Sequence, residues 1–226
     1  MPRLHVNVNT ATVDGNGLPI DNGIDINTGA SDAIEISGNT NTTVAFSGTV
    51  GVTATGVNDG IDITGNDVNS SFTFSDLDAT ATGGNTVNTA GGGTMTFNSD
   101  TSVDATRTIA NTGAGNAFTN VGALNPDDNA SITVNSNIEN SVGGRSVDIQ
   151  GRAANDVAIN GTVNDTGNGI LVQDNTAGTI GFNNLVTFQV TGASDAVNLL
   201  NNTGTTIGFT GIDISSTAGK GFSATG

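Results

Sequence analysis

Short alternations of apolar and polar residues run along the chain and recur in a fixed order. The phrase TGASDAIEIS at 28–37 returns as TGVNDGIDIT at 55–64 and as TGASDAVNLL at 191–200. Each copy opens on a glycine turn; the first closes on the trio Ile34-Glu35-Ile36, apolar outside and polar in the middle. Gly29, Gly56, Gly83, Gly113, Gly143, Gly167, Gly192 and Gly219 anchor such turns, and a strand, A, is predicted after each. The first inward residues of strand A are Val8, Ile34, Ile61, Val87, Phe118, Val147, Ile170, Val197 and Phe222, spaced 26, 27, 26, 31, 29, 23, 27 and 25 apart. About ten residues later a second trio predicts strand B: Val44-Ala45-Phe46, Phe72-Thr73-Phe74, Met95-Thr96-Phe97, Ile132-Thr133-Val134, Val157-Ala158-Ile159, Ile180-Gly181-Phe182 and Ile207-Gly208-Phe209. A third predicts strand C: Ile24-Asp25-Ile26, Val50-Gly51-Val52, Leu77-Asp78-Ala79, Val103-Asp104-Ala105 and Ile212-Asp213-Ile214.

Period-two alternation puts the outer residues of each trio on one face and the middle residue on the other. The connecting turns are too short for crossover helices, so a doubly wound α/β sheet is excluded. With 33 glycines and no sustained i, i+3, i+4 apolar spacing, helices are excluded too. A sandwich of hairpins does not account for three strands recurring in one order at one period. The expectation is an all-β parallel β-helix solenoid, a single repeat domain over 1–226, with three short strands in each of about eight coils.

The pattern TGxxD[AG][IV]x[IV] at 28–36 and 55–63, with looser copies across almost the whole chain, resembles the right-handed parallel β-helix. The likeness is to repeat segments of large bacterial surface proteins and autotransporter-like adhesins. That resemblance implies three parallel sheets and successive coils about 4.8 Å apart. It also implies a structural role at the bacterial cell surface or outside the cell, as a stalk, an adhesin shaft or a self-assembling fibre component.

Composition narrows this further. Leu, Ile, Val and Phe make up 54 of 226 residues, above the level of disordered chains, and β-branched Val and Ile dominate. A formal charge of −16 excludes nucleic acid and anionic membranes as main partners. Without cysteine there is no disulfide framework or thiolate metal site. No apolar run approaches the ~18 residues of a spanning helix, so membrane insertion is not expected. The opening MPRLHVNVNT lacks the apolar core of a signal peptide, so either an export signal has been removed or the chain is part of something longer. The last copy, 218–226, stops just after strand A begins, with no cap following. Homotypic end-to-end contacts, or continuation into a longer array, are therefore expected.

Enzymatic chemistry finds little support, and the chain is expected not to be an enzyme. The β-helix lyases that the pattern resembles use a cationic base with calcium, and the hydrolases use clustered carboxylates. The cations here are Arg3, Arg107, Arg145, Arg152 and Lys220, with Arg145 and Arg152 flanking one strand A. His5 is the one histidine, and exposed aromatic platforms for sugars are missing because Tyr and Trp are absent. Polysaccharide cleavage or binding stands as the alternative function, followed by calcium or ice binding. The calcium candidates are Glu35 with Asp62 on strand A, and Asp78 with Asp104 on strand C, each pair read as stacked on adjacent coils. The ice reading rests on Thr73, Thr96 and Thr133 at one outward position, in a column broken by Ala45, Ala158, Gly181 and Gly208. No cofactor is expected. Two stretches depart from the repeat, 83–93 and 120–131, and irregular loops are where solenoids place contacts with a surface glycan or protein receptor.

Overall fold

The computed structural model describes residues 3–6, 24–29, 31–100, 107–122, 129–190, 194–216 and 218–226. They form one hydrogen-bonded sheet system of 19 strands, without helices. Every strand but β1 pairs in parallel with its counterpart one coil away, giving a β-solenoid of about seven turns.

Sheet A contains β3 (Ile34–Ser37), β5 (Ile61–Asn66), the first part of β7 (Val87–Phe97), β9 (Phe118–Val121), β12 (Val147–Gln150), β15 (Ile170–Gln173), β17 (Val197–Leu200) and β19 (Phe222–Thr225). Sheet B contains the first parts of β4 (Thr43–Ala54) and β6 (Ser71–Ala81), the second part of β7, then β10 (Asn129–Val134), β13 (Val157–Ile159) and the first parts of β16 (Thr179–Val190) and β18 (Thr206–Ser216). Sheet C contains β2 (Ile24–Thr28), β8 (Thr108–Asn111), β11 (Asn137–Asn140), β14 (Val163–Asp165) and the second parts of β4, β6, β16 and β18. β1 (Arg3–Val6) lies antiparallel on β3. The expected first strand A at Val8 lies outside the described residues.

Hydrophobic alternation fixes the register, because a one-residue slip would turn every apolar side chain outward. The ladder Ile34, Ile61, Val87, Phe118, Val147, Ile170, Val197, Phe222 is formed rung by rung. So is Val44, Phe72, Met95, Ile132, Val157, Ile180, Ile207 in sheet B. From Ile34 to Val197 and from Val44 to Ile207 these side chains belong to one core, while Phe222 on the last rung is exposed. Phenylalanines stack along it: Phe46 on Phe74 at 4.7 Å, Phe74 on Phe97 at 5.5 Å, and Phe182 on Phe209 at 4.6 Å.

The structure corrects three details. Strands B and C are not separated by turns in β4, β6, β16 and β18; they run on as one strand, with a register shift at the corner such as that between Phe46 and Thr49. The glycine-rich stretch 83–93 is not a loop: after a turn it enters β7, where Gly91 (φ 107°) and Gly93 (φ 96°) bend the strand from sheet A into sheet B. Strand C of the fourth coil is β8, centred on Ile109 opposite Ala79, whereas the expected Val103-Asp104-Ala105 lies outside the described residues.

Amide ladders close the corners. Between sheets A and B, the Asn39 Nδ2 donates to Asn66 Oδ1 at 2.9 Å and the Asn175 Nδ2 to Asn202 Oδ1 at 2.8 Å. Asn66, Asn175 and Asn202 also donate to Ile36, Ile149 and Val172 carbonyls. Between sheets C and A, buried Asn111 and Asn140 hold the turn carbonyls of Gly84 and Gly115. Such side chains satisfy backbone groups that a sharp corner would otherwise leave unpaired.

Candidate functional site

The Asp of the repeated phrase has a structural task. Its side-chain oxygen accepts the backbone N–H of the equivalent residue one coil on: Asp32 from Asp59 at 2.8 Å, Asp59 from Asn85 at 2.7 Å, Asn85 from Asn116 at 3.1 Å, and Asn116 from Arg145 at 2.9 Å. The phrase recurs because an Asx side chain at this position holds the next coil; the run ends at Arg145, and Asp195 repeats the bond with the Lys220 N–H at 2.9 Å.

Glu35 and Asp62 stand opposite each other on sheet A, as their spacing predicts. Neither is bare: Ser37 Oγ donates to Glu35 Oε1 at 3.1 Å, and Asn88 Nδ2 donates to Asp62 Oδ1 at 2.9 Å. For the second expected pair, the register one coil beyond Asp78 falls at Thr108, whose N–H donates to Asp78 Oδ1 at 3.3 Å, and Asp104 lies outside the described residues. Among the described residues no three acidic or imidazole side chains are grouped closely enough to hold a metal.

Burial pushes several carboxyls upward. Asp59 rises to about 6, through desolvation first and then repulsion from Asp62 and Asp32. Asp62, Asp148 and Asp165 move the same way for the same first reason; exposed Asp67 moves down because Ser70 Oγ donates to it. A raised folded-state value means that, between about pH 4 and pH 6, the folded chain holds protons which the unfolded chain releases. Stability is present at the acidic end of that window and falls as pH rises through it. The melting temperature is expected to be a few degrees higher near pH 5 than near pH 7.5, with Asp59→Asn removing much of the difference. A midpoint that climbs over that range contradicts the assignment.

The cations do not converge. Arg145 lies at a corner and its Nη1 donates to the Asn168 carbonyl at 3.1 Å, whereas Arg152 is fully buried. Arg107 pairs with Asp76. His5 stands in register with Glu35 across the β1–β3 pairing.

The outer face of sheet B is where the repeat and its interruptions meet. Thr73, Thr96 and Thr133 are stacked in register and partly exposed, beside a column of Ser71, Thr94 and Ser131. One residue beyond the core side of the strand runs an amide ladder absent from the sequence reading: Asn135 donates to Asn98 at 2.6 Å, Asn160 to Asn135 at 2.8 Å and Asn183 to Asn160 at 2.8 Å. Its signal is the Asn that follows Phe97, Val134, Ile159 and Phe182. In a chain of charge −16, the six side chains of these three rungs are all hydroxyls and the ladder beside them is all carboxamide, with Asp156 following Ser131 on the next rung. The β7 and β10 rungs of this face are hydrogen-bonded neighbours. Chemically the face offers donors and acceptors at one-rung spacing.

No protein-family model, curated protein or solved structure matches the chain. Among the described residues no helix is long and apolar enough to cross a membrane.

Proposed function

We propose that this chain is a structural repeat segment of an exported bacterial surface protein, a stiff stalk, adhesin shaft or fibre component working outside the cell or on its surface. The observation that carries the reading is the continuity of the strand A ladder from Ile34 to Phe222, with its apolar and Asx side chains committed to joining coil to coil. Stability in such an array is a sum over neighbours, so a rod can lengthen without a new core. Further coils of the same register, in the same chain or another copy, fit this role. The outer face of sheet B is the surface offered to a glycan or protein receptor, and no metal or other cofactor takes part.

Immunogold labelling of the source cells with antibodies to this chain tests the proposal. Label on extracellular fibres or the outer surface is expected, with no release of reducing sugar from acidic or neutral polysaccharides. Cytoplasmic label, or polysaccharide turnover, overturns it. Calcium or chelator is expected to leave the melting temperature unchanged.

A further inference from the structure

Two connections longer than the rest, from Asn98 to Thr108 and from Asn120 to Ile132, are fastened by charged side chains reaching in from neighbouring coils. From the second inward residue of strand A to the first of strand B, the chain takes eight residues in four coils (Ile36 to Val44, Ile149 to Val157, Val172 to Ile180, Leu199 to Ile207) but twelve from Asn120 to Ile132. One coil beyond this excursion, the corner ladder has Arg152 at the register position where the next coils carry Asn175 and Asn202. Its backbone keeps the ladder bond, donating to Asn175 Oδ1 at 2.9 Å. Its side chain does something an asparagine is too short to do. Nη1 donates to Asn120 Oδ1 at 2.6 Å, on the strand that enters the excursion, and Nη2 donates to the Ala130 carbonyl at 2.6 Å, on the strand that leaves it.

No carboxylate is paired with this guanidinium among the described residues, and its Nε has no partner. Burying a cation is costly, and here the cost is offset by hydrogen bonds to the Asn120, Ala130 and Ala154 oxygens and by attraction to Asp156, so the side chain is placed by its polar contacts.

The other excursion, between Asn98 and Thr108, repeats the arrangement with the opposite charge. Asp76, at a corner one coil earlier, accepts the Asp100 N–H on Oδ1 at 2.8 Å and pairs through Oδ2 with Arg107. Asp100 and Arg107 flank the segment 101–106 on either side. Thr49 Oγ1, a further coil back, donates to the same Oδ2 at 2.8 Å and steadies the carboxylate.

We propose that Arg152 and Asp76 are positioning residues that clamp the stems of the two excursions, fixing both to the rod on either side of the sheet B face. The clamps hold Asn120 with Ala130, and Asp100 with Arg107, at set separations against neighbouring coils.

Residue-resolved amide hydrogen exchange on the full chain tests this. Arg152→Asn restores the ladder residue without the reach, and Arg152→Met keeps length and bulk without hydrogen bonds. Both are expected to speed exchange at Gly122 and Ala153 by at least about tenfold while leaving β3 and β17 unchanged. Asp76→Asn retains an acceptor for Asp100 but loses the ion pair, so exchange is expected to rise at Thr108 more than at Asp100. The proposal is overturned if Arg152→Met leaves stem exchange as in the parent chain, which would make Arg152 a packing residue. It is overturned equally if any of these variants loses protection uniformly along the rod.

Discussion

Phe74→Ala is expected to cost about 4 kcal/mol of stability, read by urea denaturation. Phe74 is fully buried and sandwiched between Phe46 at 4.7 Å and Phe97 at 5.5 Å, with rings within about 13° of parallel. Truncation removes the largest class of core side chain and opens a cavity whose walls are strands already fixed by ladder hydrogen bonds, so collapse is limited. It also breaks two ring contacts at once, each worth about 1 kcal/mol beyond burial. Phe222, 48% exposed with a single edge contact to Phe209 at 6.3 Å, supplies the contrast. Phe222→Ala should cost less than about 1.5 kcal/mol. Because each coil touches only its neighbours, faster exchange in Phe74→Ala should centre on β4, β6 and β7. Equal costs at the two positions would mean that the stack does not exist as described.

Gly113→Ala should be at least as damaging, for a backbone reason. A Cβ there would lie 1.5 Å from the Thr82 carbonyl oxygen and 2.4 Å from its carbon. Those atoms belong to the turn of the preceding coil and have no rotamer through which to escape, so the two turns must part. Parting them disturbs the Thr112 N–H bond to the Ala81 carbonyl and the Asn111 contact with Gly84. A loss above about 4 kcal/mol, or failure to fold, is expected. Gly208 is the control: a Cβ there meets nothing within 4 Å, and Gly208→Ala should be neutral or stabilise by about 0.5 kcal/mol. A well-folded Gly113→Ala of parent stability would contradict the coil spacing at this corner.

The legible part of this fold is the part written in period two. Ile34, Ile61 and Val87 could be aligned because every coil needs an apolar residue at the same inward position, and the register they imply is the one formed. Corners were less legible, since they depend on bends rather than on alternation. The run Gly91-Gly92-Gly93 looks like a loop in sequence, yet positive φ at Gly91 and Gly93 lets one strand serve two sheets. Strand C of the fourth coil falls later than its alternation suggests for a related reason: the longer connection after Asn98 shifts Ile109 out of phase with the period.

The outward positions were half legible. Glu35 and Asp62 share a register that spacing alone gives, whereas Asp78 faces Thr108 because the intervening excursion changes the count. Arg152 flanks strand A in the sequence, but its burial is not readable there. Long charged side chains are almost never fully buried unless paired, so sequence reasoning places them in solvent. Its register with Asn175 is what reveals it, and that emerges only once the ladder is aligned.

The central claim, a stack of parallel coils, is tested most directly by the distance between spin labels at Thr43 and Thr206. Both are exposed at the same outward position of sheet B, six rungs apart through Ser71, Thr94, Ser131, Asp156 and Thr179. A single narrow distribution near 29 Å between backbones, the product of six spacings of about 4.8 Å, is predicted. Moving one label to Ser131, three rungs from either end of the same column, should halve that distance. A broad distribution, or distances that do not scale with rung number, would contradict the solenoid.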